Sequence, residues 1–161
     1  MAASTTSESV LFIAGVIDED TATLASMKAL TGWIEIGETN NLGDIGDESS
    51  AVDAPSIGRG RNRTLKGVRS GGVQSLVVNR DPLDAGQRAL IAAEKTKFTY
   101  AFKLVASDAP DEDYVDSVFY YGAKVMSGRV NLQGQDAVTM RAFGLAIQTE
   151  TFEEPAHVPT P

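Results

Sequence analysis

The chain is 161 residues long, 42% hydrophobic and 22% charged, which suits one domain burying roughly 68–70% of its unfolded surface and excludes wholesale disorder. Fourteen basic residues against 22 acidic ones leave a formal charge of −8, so a surface built throughout to grip a phosphate backbone is excluded as well. The absence of cysteine removes disulfides, thiolate metal sites and cysteine nucleophiles together.

Residues 1–9 are small and polar, with Glu8 as their one charge, and read as an N-terminal arm. They hold no basic residue and so make a poor secretion signal. The run VLFIAGVI at 10–17 is too short to span a bilayer as a helix; its branched and aromatic residues, broken by Gly15, predict a strand. TATLASMKAL at 21–30 reads as a linker in preference to a short helix. It leads into a strand over Trp33–Ile36, in which Ile34 and Ile36 share the face directed at the core. From Gly37 to Gly60 no periodicity is visible, and glycines alternate with the acids Glu38, Asp44, Asp47, Glu48 and Asp53. A long acidic loop is predicted there, of a length that is usually functional. The sign of charge then reverses at Arg59, Arg61, Arg63, Lys66 and Arg69.

VQSLVVNR at 73–80 predicts a strand running into a helix over 79–97, with Asp81 as N-cap, Pro82 in the first helical position and an apolar stripe of Leu83, Leu90 and Ile91. FTYAFKLV at 98–105 alternates as a strand that puts Phe98, Tyr100, Phe102 and Leu104 on one core face. Residues 108–116 form an acidic hairpin loop into the strand SVFYYGAKVMSGRVNL, where the adjacency of Tyr120 and Tyr121 implies that one ring points outward. AVTMRAFGLAIQT is the last predicted strand, with Phe143, Leu145 and Ile147 aligned. Residues 152–161, rich in proline, read as a C-terminal tail. The sum is six or seven strands and one helix.

Little in this pattern is catalytic. His157 is the one histidine and falls in the tail, where nothing in the sequence holds a general base in place. Asp44, Asp47 and Glu48 miss the spacing of a calcium loop, and Gly58–Arg61 and Gly71–Gly72 match no phosphate-binding fingerprint. The basic segment contains no aromatic residue on which a base could stack. It follows an acidic stretch of opposite sign, so it is expected to meet an acidic surface, either its own loop or that of a neighbouring copy. The candidate inter-subunit contacts are therefore Asp44, Asp47, Glu48, Asp53, Arg59, Arg61, Arg63, Lys66 and Arg69, with no catalytic, cofactor or metal residue among them.

Three stretches carry a resemblance: GWIEIGETNNLGDIGDE at 32–48, LVVNRDPLDAGQRALIAAEKTKFTYAFKLV at 76–105 and FYYGAKVMSGRVNLQGQDAV at 119–138. In style and order they resemble the tail tube proteins, or major tail proteins, of long-tailed bacteriophages with non-contractile tails. The resemblance implies a mainly β, α+β fold: a β-sandwich or small barrel with one flanking helix, as a single tail-tube domain over 1–161. It implies hexameric rings, stacked with the help of the arm at 1–9, the loop at 37–60 and the tail at 152–161 into a hollow virion tube that DNA traverses without specific binding. Partners implied are the tape measure, the tail terminator and the baseplate or distal tail proteins, after synthesis in the host bacterial cytoplasm, with no cofactor, no membrane span and no enzymatic activity. The alternative reading is a monomeric β-sandwich module that binds carbohydrate or nucleic acid.

Overall fold

A computed structural model describes residues 3–161. Its elements in chain order are β1 (Val10–Val16), α1 (Leu24–Lys28), β2 (Ile34–Ile36), β3 (Thr39–Asn41), β4 (Glu48–Ala54), β5 (Arg63–Ser70), β6 (Val73–Asn79), α2 (Ala85–Glu94), β7 (Tyr100–Val105), β8 (Val118–Asn131), β9 (Met140–Ile147) and β10 (Phe152–Glu154). The fold is mainly β and all strand pairings are antiparallel, in one large sheet of order β2-β1-β7-β8-β9-β6-β3, with β10 added beside β8, and a separate β4–β5 pair. No helix among the described residues is long and apolar enough to cross a membrane.

The sheet has to curl. Laid flat, its terminal strands β2 and β3 would lie roughly 29 Å apart at about 4.8 Å per strand. Yet only Gly37 and Glu38 separate them in the chain, a link that reaches about 11 Å at most. The two edges therefore approach each other, and the inward side chains of β1, β2, β6, β7, β8 and β9 meet in one core with Leu90 and Ala93 of α2. Within it Phe102 and Tyr121 stack with ring centroids 5.6 Å apart. The Tyr121 hydroxyl donates to Gln74, whose amide donates to Leu42 O at 2.6 Å, so these two buried polar side chains are bonded. Burial pushes the Tyr121 phenol far above its usual range.

β8 joins the two halves of the sheet. Val118–Ala123 pairs with β7, and Ala123–Asn131 pairs with β9 on the opposite edge, where β10 also lies beside residues 118–120. The first half is covered on its outer face by a second cluster, in which Met27 of α1, Trp33, Phe152 and Tyr120 come together. Tyr120 is 8% exposed and Tyr121 fully buried. The expectation that one of these rings points outward is thus corrected: alternation sends them to opposite faces, but here both faces are covered.

Several other boundaries differ from the sequence reading. α1 is a helix and not a linker, closed by a capping box between Thr23 and Ser26. The N-cap of α2 is Asp84, three residues after the predicted Asp81, and Asp81 instead accepts from Leu83 N in a local turn. Leu83 is therefore outside the helix and 78% exposed. Ile36 is buried but Ile34 is 40% exposed, and Phe98 lies before β7 with its ring out. The C-terminal segment is docked: β10 pairs with β8, the His157 backbone bridges Val115, and Glu154 accepts from Lys28 Nζ at 2.9 Å. That carboxylate holds the Lys28 ammonium above its usual range. His157 is held by its own backbone pairing, its Nδ1 3.0 Å from Pro155 O.

Candidate functional site

The stretch expected to be a long acidic loop is largely a hairpin. Residues 39–41 form β3, and β4 pairs with β5 in the register Glu48↔Ser70, Val52↔Leu65, Asp53↔Thr64 and Ala54↔Arg63. Periodicity missed it because neither face is buried: every residue of β5 except Gly67 is exposed, and β4 is half-buried only at Ser49 and Ala54. With both faces wet, no alternation of apolar and polar residues is imposed. The usable signal was a turn-rich stretch, PSIGRGRN, between two runs of opposite charge, which antiparallel pairing brings face to face.

The hairpin leaves the body through Gly71 and Gly72. Gly72 has φ +65°, and a Cβ on Gly71 would lie 2.6 Å from Ile147 Cγ2, so both positions suit glycine. Two-stranded ribbons are marginal alone in water, and this one exposes Val52, Leu65, Val68 and, at its tip, the fully solvated Ile57.

Of the predicted contact residues the structure joins one pair. Arg69 Nη2 lies 2.8 Å from Asp47 Oδ2 at the base of the hairpin. With the arginine side chain 62% exposed, that pair is worth under about 1 kcal/mol. Thr64 reaches Asp53 at 3.5 Å, a long hydrogen bond. Asp44 and Glu48 are exposed. Arg59, Arg61, Arg63 and Lys66 have no ion-pair partner within 4 Å among the described residues. Among the described residues, Arg69 is thus the one cation that pairs with these acids, and Arg59, Arg61, Arg63 and Lys66 are presented to solvent.

A second surface was not foreseen. β8 continues eight residues beyond its last pairing with β7, so from Lys124 to Asn131 it is bonded to β9 on one side only. A bulge at Met126 brings Lys124, Ser127 and Arg129 onto one face, opposite Ala146, Gly144 and Ala142 of β9. Met126 and Val130 are 63% and 40% exposed along this free edge. The length of the apolar-to-polar run from Ser117 to Leu132 was a clue; nothing local in the sequence says that β7 stops short.

Comparison with solved structures gives the architecture a context. The chain superposes on the tail tube of SPP1, determined by solid-state NMR and cryo-EM, with a TM-score of 0.63 over 94% of this chain and 78% of that one, at 14% identity. It superposes on a chain of the anti-feeding prophage baseplate with a TM-score of 0.67 over 96% and 97%, at 10% identity. The fold is tail-tube-like. No protein-family profile matches the sequence, and no curated protein is significantly similar to it. At such identities the likeness is one of fold, with α2 packed against the curled sheet as the flanking helix and α1 as a second, shorter one.

Proposed function

We infer that the chain is a structural protein of a phage tail, which assembles into hexameric rings stacked as a hollow tube through which DNA passes. The observation that carries this reading is the β4–β5 hairpin, a ribbon too exposed to be stable for its own sake, with apolar residues on its strands and unpaired cations at its tip. Such a ribbon gains its missing burial only against another surface. The tail-tube-like fold supports the same reading, as does the resemblance of the three motif stretches. Six copies at −8 each carry −48 formal charges per ring, and an acidic channel repels DNA enough to let it slide. The tube would be capped and measured by tape-measure, terminator and baseplate proteins, and its residence would be the virion after synthesis in the host cytoplasm.

The alternative, a monomeric binding module, rested on an outward-facing tyrosine at 120 or 121, and burial of both rings removes that support. Electron microscopy of the purified protein at high concentration separates the readings. Hollow tubes or six-membered rings of uniform diameter are the expected result, and a monomer that persists at every salt concentration would overturn it.

A further inference from the structure

Both strands of the hairpin leave the body at glycines. On the incoming side Ile45 packs against the core, and Gly46 follows it with φ +133° and nothing within 4 Å of its Cβ position. On the outgoing side Gly71 precedes Gly72, which has φ +65° and whose carbonyl accepts from Ile147 N at 3.0 Å. Ile45 and Gly72 are thus anchored to the body, and the residues that join them to the ribbon include those whose backbone turns most freely.

Little else holds the ribbon in one direction. β4 pairs only with β5. Among the described residues, every side-chain hydrogen bond and ion pair made by residues 47–70 ends within residues 47–72. Open space adjoins the pivot in two places. One cleft, of about 480 Å³, is walled by Asp47, Arg69 and Ser70 on the hairpin side and by Gln148, Thr149 and Glu150 on the body side. Another, of about 410 Å³, lies between residues 44–48 and 70–73.

The first cleft gives one cation a choice of partner. Arg69 Nη2 lies 2.8 Å from Asp47 Oδ2. Glu150, on the body's wall of the same cleft, is exposed and has no ion-pair partner among the described residues. With the arginine side chain 62% exposed, a pairing of this kind shifts an equilibrium by no more than about fivefold. Neither carboxylate therefore holds Arg69 to the exclusion of the other.

We propose that the hairpin is a swinging arm with two settings, pivoting at Gly46 and Gly71 as Arg69 exchanges its bond to Asp47 for one to Glu150. In the first setting the cleft is open, as the structure shows it. In the second the cleft is closed, and the base of the ribbon rests on the turn at 148–150. The two are conformations of one chain whose balance either carboxylate biases, and neither requires a second copy, so the inference stands apart from the tube reading.

The chain has no cysteine, so spin labels can be placed at Ser56→Cys near the hairpin tip and at Ala92→Cys on α2, both exposed positions. Their separation is read by double electron–electron resonance in dilute, unassembled protein. Two separations are expected. Glu150→Gln should remove the one that belongs to the closed cleft, and Asp47→Asn should raise its share at least about threefold. A single separation that neither substitution changes, or two whose ratio is indifferent to Glu150→Gln, would overturn the exchange. A continuous spread of separations, unaltered by both substitutions, would overturn it as well, since the hairpin would then turn without a latch.

Discussion

The body of the curled sheet and the β4–β5 hairpin are built on opposite terms. In the body Leu11, Leu76, Leu90, Phe102, Tyr121 and Leu145 are fully buried, and the seam between β2 and β3 is clipped to α2 by side chains. Asp84 accepts from both Gln87 N and Gly37 N, while Gln87 donates to Gly37 O and Asn79 O and accepts from Asp81 N. In the hairpin almost every side chain is wet, and its one ion pair among the described residues lies at the base. Monomer stability is thus concentrated in the first region and unmade contacts in the second, so substitutions in the two should separate cleanly by what they change.

The widest separation should come from Leu90→Asp. It places a carboxylate where no solvent reaches and should cost about 4–5 kcal/mol, abolishing the thermal transition by circular dichroism. A well-folded monomer of this variant that merely fails to assemble would move α2 into the contact region and break the comparison. Next is Gly86→Ala. A Cβ there would lie 2.2 Å from Glu35 O and 2.5 Å from Ile36 Cα, and overpacking of up to about 3 kcal/mol outweighs the roughly 1 kcal/mol that alanine returns as helix propensity. Urea midpoints should fall by the equivalent of about 2 kcal/mol; a rise would mean that β2 does not press on the helix.

Smaller still is the effect of the buried phenol. Because the folded state keeps the Tyr121 proton at pH values where the unfolded chain releases it, this contribution is complete below the unfolded value of about 10 and is lost as pH rises above it. Tyr121→Phe should flatten that alkaline decline, at a cost near neutrality of about 1–2 kcal/mol for the unpaired Gln74 oxygen. Equal alkaline slopes in both proteins would show that the decline has another source. The smallest effect on the monomer should come from Arg61→Glu with Arg63→Glu. Both residues are exposed and have no ion-pair partner among the described residues, so unfolding should shift by no more than about 0.5 kcal/mol. Sedimentation should nevertheless show self-association weakened, and association unchanged at equal salt would remove the basic tip from the contact.

What was readable in the sequence follows the same division. Strands β6, β7 and β9 were legible because one face is buried and imposes alternation, as at Phe143, Leu145 and Ile147, and β1 was legible from its short run of branched and aromatic residues. The hairpin was not, since burial imposes nothing on ESSAVDA or RTLKGVRS. Tyr120 failed for the opposite reason, two covered faces, which required knowing that α1 and Trp33 fold back over β8. The start of α2 was displaced because Asp81-Pro82 and Asp84 are both competent caps; the choice falls to Asp84 because Gly37 also binds it, a contact 47 residues away in sequence. Asp47 and Arg69 were named among the contact residues, whereas the β8 edge depends on where β7 ends and had no local signature.

The order of pairing along the chain has a consequence for synthesis. β1 must wait for β7, β7 for β8, and β6 for β9, so the body cannot close until residue 147 has left the ribosome. The pairing within the hairpin needs nothing beyond Ser70. All of its residues are thus made before those that close the core it is attached to. Until that body exists, the row of Arg63, Lys66 and Arg69 along β5 disfavours β5-to-β5 pairing between identical ribbons, because it would set like charges side by side.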